Sequence, residues 1–228
     1  MEHAYGLEIP RTLEDACDPR RLALLVYDMQ VGVVEHVPNP QATIAKVQTV
    51  LAAARQAGVR TFFSRHMSLP KELMGVSQLR TAMAWQRVNR VAETQSLFLR
   101  DSRGFQLIPE LQPLPREAIF DKLSMSFFAG TPLDMALRDC GITAFAIVGL
   151  VLEIGIEPTV SHGADLGYVP VVVADACGSV EPDARARALA SIDYSLFSHI
   201  TDTDTFCRLL RAGPVRGPSA SPEPANAG

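Results

Sequence analysis

Three polar side chains directly follow three predicted parallel strands. Asp28 follows LALLVY, His66 follows RTFFSR and Lys122 follows AIFD. Because the carboxyl ends of parallel strands meet at one edge of a sheet, these side chains are expected to share a crevice. A carboxylate and an ammonium group in a partly dry crevice stabilise each other's charge and can hold or move a proton. The spacing therefore predicts an acid–base site.

A fourth apolar run, 144–148, ends in a turn that brings Glu153 and Gly155 to the same edge. A helix is predicted at 153–166, because Pro158 is tolerated in a first helical turn, and another apolar strand at 169–174. Strand, helix and strand form a βαβ unit, for which a right-handed crossover is the rule. Since chemistry in open α/β sheets sits where strands end and helices begin, the turn at 149–155 is the first place where we expect function.

Each of these residues also has a structural interpretation. Taken singly, Asp28 and Lys122 could form a helix cap or an exposed ion pair, and a lone histidine such as His66 is more often a structural hydrogen-bonding group. Their common position at strand ends is what favours a functional site.

The elements that position these residues alternate between strand and helix along the chain. Strands are predicted at 22–27, 60–65, 118–121, 144–148, 169–174 and 199–201. Helices are predicted at 42–57, 73–91, 132–139, 153–166, 182–197 and 204–211. Alternation of this kind predicts an α/β fold with a parallel sheet. We expect one domain at 21–211, preceded by a polar arm at 1–20 and followed by a disordered tail at 212–228 that is rich in Gly, Pro, Ala and Ser.

Composition narrows the classes of function and partner. The 228 residues carry a formal net charge of -4, which gives no reason to expect nucleic acid as a partner. No apolar stretch is long enough to span a bilayer, and the N-terminus lacks the pattern of a secretory signal, so no membrane partner is expected. The four cysteines are scattered without metal or disulfide spacing, which favours a reduced, cytoplasmic protein. We expect a small-molecule substrate and no cofactor or metal.

Three segments together resemble the isochorismatase-like hydrolases, also called cysteine hydrolases. They are LLVYDMQ at 24–30, FDKLSMSFFAGTPLDMALRDCGI at 120–142 and IVGLVLEIGIEPTVSHGADLGYVPVVVADACG at 147–178. The resemblance extends over about residues 20–205. It implies a Rossmann-like, three-layer α/β fold with a six-stranded parallel sheet flanked by helices on both faces, assembled as a homodimer or homotetramer.

The resemblance also assigns roles to residues. Asp28 matches the family's general acid or base, and Lys122 matches its catalytic lysine. Gly155 matches the position at which most members carry the nucleophilic cysteine, and we count it with the catalytic positions. His66 matches a position that often faces substrate. The candidate substrate-binding residues are His66, Gln30, Phe128, Val151 and Glu153. The turn further implies a cis peptide bond between Leu150 and Val151.

Glycine at position 155 decides which reaction is expected. A thiolate mechanism needs a sulfur at that helix N-terminus, and glycine has no side chain to attack with. The amidases of the family are therefore disfavoured as models, and the Asp-x-His metal motif of nicotinamidase is not found. The family's true isochorismatases also have glycine there, and the resemblance to them implies that Asp28 protonates a vinyl ether, an enolpyruvyl group, before water attacks.

Other interpretations stay open. Residues 151–153 lack the aromatic and His side chains of the isochorismatase branch, and Glu153 would repel a dianionic substrate or simply cap its helix. Asp28 could instead activate water against another ether, ester or amide-like bond. A catalytically silent binding or structural subunit is a further alternative, although packing alone would not need Asp28 and Lys122. A nucleotide oxidoreductase is disfavoured because no GxGxxG follows the first strand.

Overall fold

The computed structural model describes residues 1–213, in which a six-stranded sheet is covered by helices on both faces. The strands are β1 (Glu2–Ala4), β2 (Leu7–Ile9), β3 (Leu22–Tyr27), β4 (Arg60–His66), β5 (Ala118–Lys122), β6 (Ala144–Leu150), β7 (Val169–Gly178) and β8 (His199–Thr201). The helices are α1 (Leu13–Ala16), α2 (Val31–Val34), α3 (Pro40–Gln56), α4 (Val76–Gln86), α5 (Leu133–Asp139), α6 (Glu157–Asp165), α7 (Pro182–Tyr194) and α8 (Thr203–Ala212). The predicted three-layer α/β class is confirmed.

The order of strands in the main sheet is β5-β4-β3-β6-β7-β8, and every neighbouring pair is parallel. From β3 the chain builds outward through β4 to β5, then returns to the other side of β3 with β6. The order thus reverses between β3 and β6, and ligands of open α/β sheets bind in the crevice beyond the strand ends at such a point. Asp28 follows one of these strands and the 149–155 turn follows the other.

The alternation of side chains along β3 explains why both faces of the sheet are covered. Leu22, Leu24 and Val26 pack in one apolar cluster with α3 and α8, whereas Ala23 and Leu25 pack in the other with α5, α6 and α7. All six residues of β3 are buried, as expected for a central parallel strand. Burial on both faces fixes the register of β3, because a slip by one residue would exchange its two faces.

The structure corrects several predicted element boundaries. The helix predicted at 153–166 is a π-helical turn, Leu152–Ile156, followed by α6, because the Val151 carbonyl accepts hydrogen bonds from the N–H groups of Gly155 (3.0 Å) and Ile156 (3.2 Å). The helix predicted at 73–91 is shorter and ends before Arg87, whose backbone is left-handed. Similarly, α7 ends at Tyr194, before the left-handed Leu196, and β7 continues to Gly178 beyond the predicted end of that strand.

The chain ends also differ from expectation. Residues 1–20 contain the β1–β2 hairpin and α1, and Ala16 and Cys17 are buried against the main core. Ala212, assigned to a disordered tail, is the last residue of α8, and the rest of that predicted tail, 214–228, lies outside the described residues. Between residues 1 and 213 no helix has both the length and the apolar character that crossing a membrane requires.

Candidate active site

Asp28 and Lys122 form a buried ion pair at the carboxyl edge of the sheet. Lys122 Nζ lies 2.7 Å from Asp28 Oδ2, and the two residues are only 1% and 6% exposed. Asp28 leaves β3 with a left-handed backbone, φ 42°, a conformation that aspartate tolerates better than most residues. Lys122 is the last residue of β5 and also donates to the Ser124 carbonyl at 3.1 Å. The predicted acid–base pair is therefore in direct contact.

Ser64, which the sequence reasoning did not single out, completes the environment of Asp28. Its hydroxyl donates to Asp28 Oδ1 at 2.5 Å and accepts the Asp28 backbone N–H at 3.0 Å. The signal in the sequence was a hydroxyl within the apolar strand RTFFSRH, where a buried polar group needs a partner. Ser64 and Lys122 thus bond to different oxygens of the carboxylate, each of which has the capacity to accept a further hydrogen bond.

Tyr27, the last residue of β3, packs its ring against the Lys122 end of the ion pair. Its ring centroid lies 4.3 Å from Lys122 Nζ, within the range of a cation–π contact, and its hydroxyl donates to the Met125 carbonyl. Burial lowers the pKa of Lys122, against the opposing effect of Asp28. Burial, and then the neighbouring Asp28 charge, raise the pKa of Tyr27 well above its usual value, so this phenol keeps its proton and acts as a donor.

Position 155 has no room for a side chain, so it has to be glycine. A β-carbon built on Gly155 would overlap the Tyr27 hydroxyl and ring, whereas the backbone of Gly155 is not left-handed. The predicted turn residue is thus glycine because Tyr27 fills the volume that a side chain would need. Its carbonyl accepts a 2.7 Å hydrogen bond from the buried Thr159, which anchors the turn to α6.

The turn itself brings Val151 to the site. The peptide bond between Leu150 and Val151 is cis, which confirms that prediction. Gly149 has φ 124°, and a β-carbon there would collide with the Tyr27 backbone, so only glycine lets β6 and β3 approach so closely. Val151 is 8% exposed and lines the cavity in front of Asp28.

That cavity, which we call the main chamber, has a volume of about 300 Å³. Asp28, His66, Val151 and Gly155 all line it, as predicted, and most of the remaining wall is apolar. Lys122, which was expected to share the crevice, lies outside the lining and contacts Asp28 from behind the wall. Among the described residues that line the main chamber, none is a lysine or an arginine.

His66 occupies one wall of the main chamber as the last residue of β4. Its ring packs edge-on against Trp85 and Phe98, with ring centroids 6.1 Å and 5.7 Å away. Burial, and then the positive charge of Lys122, lower the pKa of His66 to about 4. The imidazole is therefore neutral at physiological pH and contributes no charge to substrate binding.

The lowered pKa of His66 predicts a pH-dependent stability. The unfolded chain binds this proton near pH 6.5 and the folded chain only near pH 4, so the unfolded state gains protons first as the pH falls. We expect the free energy of unfolding, measured in urea, to fall between about pH 6.5 and 4 and the His66→Gln variant to lose that part of the slope. His3→Gln, on the exposed N-terminal hairpin, is the control. Equal slopes in wild type and His66→Gln would contradict the burial argument.

Three other predicted substrate-binding residues lie outside the lining of the main chamber, namely Gln30, Phe128 and Glu153. Gln30 is fully buried, and its amide donates to the carbonyls of His66 and Phe105 and accepts the His66 backbone N–H at 2.7 Å. The side chain of Gln30 is thus used to hold the end of β4 in place, through both backbone groups of His66. Phe128 is 5% exposed and stacks on Tyr168 in the core, with ring centroids 5.6 Å apart.

Glu153 neither caps its own helix nor lines the main chamber. Its Oε1 accepts hydrogen bonds from the Ser179 hydroxyl and from the backbone N–H groups of Val180 and Glu181, at 2.9, 2.9 and 3.2 Å. It therefore braces the segment between β7 and α7. This role depends on residues that are distant in the sequence.

None of the cysteines occupies the main chamber. Cys17, Cys177 and Cys207 are buried and Cys140 is half-buried at the end of α5. Burial raises the pKa of Cys17 and of Cys177 to about 12, so both thiols are protonated at neutral pH. In the part of the chain that the structure describes, no group of three or more His, Cys, Asp or Glu side chains could hold a metal ion.

Comparisons with known proteins identify the family and agree with the fold. A family model described as the isochorismatase domain matches residues 22–205. Among solved structures, the chain is similar to a cysteine hydrolase from Pseudomonas syringae pv. phaseolicola (TM-score 0.74, 24% identity, 90% of this chain and 96% of that one). It is also similar to an isochorismatase family protein from Desulfovibrio vulgaris (0.71, 22%, 84% and 99%) and to an N-carbamoylsarcosine amidase from Thermoplasma acidophilum (0.63, 23%, 81% and 97%). At these identities the structural likeness shows the fold alone.

Proposed function

Because the chain belongs to the isochorismatase domain family, we propose that it is a hydrolase of small molecules in which Asp28 performs acid–base catalysis without a cysteine nucleophile. The observation that carries this proposal is the Asp28 carboxylate at the wall of the main chamber, bonded on one oxygen to Lys122 and on the other to Ser64. Burying an ion pair in this way costs desolvation free energy. Such a pair is therefore more typical of a functional site than of a contact that stabilises the fold.

Asp28 would act on a water molecule placed between its carboxylate and the scissile carbon. It takes a proton as the water attacks and returns that proton to the leaving group, which is a general base step followed by a general acid step. Lys122 stabilises the carboxylate and holds it in orientation, and Ser64 fixes the second oxygen. In this scheme Gly155 stands at the nucleophile position of the family, and Tyr27 occupies the space of the absent side chain.

The main chamber favours an uncharged substrate. Its wall is largely apolar, His66 is neutral, and His36, whose Nδ1–H donates to the Gly32 carbonyl, is a further imidazole in the wall. Because the described lining residues include neither lysine nor arginine, the lining offers no permanent positive charge to the carboxylates of an enolpyruvyl compound. We therefore place hydrolysis of an amide, ester or ether bond by Asp28-activated water ahead of vinyl-ether hydrolysis. In the latter reaction Asp28 would protonate the methylene carbon before water attacks.

A substrate screen tests this assignment directly. Neutral amides and esters, simple vinyl ethers and enolpyruvyl ethers are incubated with wild type and with Asp28→Asn, and product formation is followed by chromatography. We expect turnover of a neutral compound by wild type and little by the variant. Turnover of enolpyruvyl ethers alone would select the vinyl-ether reaction, and no turnover in any class would favour a silent binding subunit.

The proposed mechanism predicts resistance to thiol alkylation. With Cys17 and Cys177 buried and protonated and Cys140 outside the main chamber, iodoacetamide is expected to leave the rate of hydrolysis unchanged. Activity is measured before and after treatment, and mass spectrometry counts the modified cysteines. Detection of an acyl-enzyme on any cysteine, with loss of activity when that cysteine is replaced, would overturn the mechanism.

A further inference from the structure

A second, smaller cavity adjoins the main chamber. This side chamber, of about 80 Å³, shares six wall residues with the main chamber. They are His66, Trp85, Gln86, Leu97, Phe98 and Met125. The two chambers are thus separated by a few side chains only, and a molecule with its reactive bond near Asp28 has a neighbouring space for another part of its structure.

Two residues in the wall of the side chamber each have a buried polar atom without a partner. His66 Nδ1 and Gln78 Oε1 are buried and have no hydrogen-bond partner among the described residues, and both side chains line this chamber. A buried polar group without a partner is costly, so such a group in a wall commonly marks a ligand contact. Gln78 Oε1 is an acceptor only, which calls for an N–H or O–H donor.

Charge and size limit what the side chamber can hold. No Asp, Glu, Lys or Arg lines it within residues 1–213, and His66 is neutral above pH 5 or so, since its pKa is about 4. Its volume is about half of the ~150 Å³ that accommodates benzene, which corresponds to a tail of about three non-hydrogen atoms.

We propose that the side chamber binds the tail of an uncharged substrate that carries a hydroxyl or amide donor remote from the scissile bond, with Gln78 Oε1 and His66 Nδ1 as its partners. This inference rests on the proposed function for the location of the reactive bond. It adds a second recognition site and defines the substrate as a neutral molecule with two polar ends joined by a short apolar linker.

Fluorescence of Trp85 provides a test that does not require turnover. Trp85 is the only tryptophan of the chain and stands in the wall common to both chambers. The probes are alkanamides of graded length that end in a hydroxyl, a methoxy or a carboxylate group, titrated into wild type and into Asp28→Asn. We expect the hydroxyl-ended amides to bind about three- to tenfold more tightly than their methoxy counterparts, the effect of one donated hydrogen bond, and the carboxylates to bind most weakly.

Variants of Gln78 test whether its amide oxygen causes the preference for hydroxyl-ended over methoxy-ended probes. Gln78→Leu and Gln78→Met keep the approximate volume without the amide oxygen and are expected to abolish the preference for hydroxyl over methoxy. Gln56→Leu, an exposed position of α3 outside both chambers, should retain it. Equal affinity of hydroxyl and methoxy probes in wild type, or tightest binding of the carboxylates, would overturn the proposal. A fluorescence preference combined with no turnover of any compound class in the substrate screen would refute the proposed function and still support ligand binding in the side chamber.

Discussion

Replacing Asp28 with asparagine is expected to lower kcat/KM by about 10²–10⁴-fold, the contribution typical of general acid–base catalysis. Asparagine keeps the shape of the side chain but cannot take a proton from water or return it to a leaving group. It also leaves Lys122, which is 1% exposed, without its counter-charge. The rate is measured on the best substrate of the screen, and the residual rate shows how much catalysis depends on binding alone.

Loss of activity in this variant has to be separated from loss of structure. Removing one partner of a buried ion pair costs about 3–5 kcal/mol, whereas replacing both partners with apolar groups is often neutral. The double variant Asp28→Asn/Lys122→Met removes the charge that Asp28→Asn leaves unpaired, so it is expected to recover part of the stability in urea unfolding without recovering activity. Asp193→Asn, exposed on α7, is the matched control and should change neither quantity. A double variant with wild-type rates would show that Asp28 is not part of the chemistry.

The fold could be predicted because strands that are buried on both faces can be recognised in the sequence as apolar segments. The six buried residues of β3 form an unbroken apolar run, as do those of the neighbouring β6, and β4 has a buried centre of four residues. Asp28 and Lys122 were found for a related reason. A charged group at the end of such a run has to lie at the sheet edge, where the topology brings the strand ends together.

The rest of the site depends on contacts between distant residues. Ser64 meets Asp28 across 36 positions and the Tyr27 hydroxyl meets Met125 across 98. The sequence shows that a hydroxyl in a buried strand needs a partner, but it does not indicate which residue that partner is. Glu153 appeared to belong to its own helix because nothing local indicates its partners in the β7–α7 segment. The walls around Trp85 and Phe98 come from irregular or short elements, whose sequence has no periodicity to interpret.

Adding a side chain at position 155 is expected to destabilise the protein even though the added group is apolar and small. The β-carbon of Gly155→Ala would overlap the hydroxyl and ring carbons of Tyr27, which is 2% exposed and held by its bond to Met125. Overpacking of this kind typically costs about 1–3 kcal/mol. Gly155→Cys is expected to cost as much and to gain no thiol-dependent activity, because Tyr27 already occupies the volume that the sulfur needs.

A double-mutant cycle tests whether Tyr27 is the reason for this glycine. Tyr27→Leu shortens the side chain, so Gly155→Ala should cost much less in that background, with a coupling of about 0.5–3 kcal/mol in urea unfolding. Tyr27→Phe keeps the overlapping ring carbons and should give almost no relief. Gly75→Ala, at the N-cap of α4 with open space and φ -77°, is the control for an added β-carbon without overlap and should cost no more than about 1 kcal/mol, the loss of a favourable N-cap residue. If Gly155→Ala costs the same in wild type and in Tyr27→Leu, the glycine serves the backbone of the turn and the steric pairing with Tyr27 is refuted.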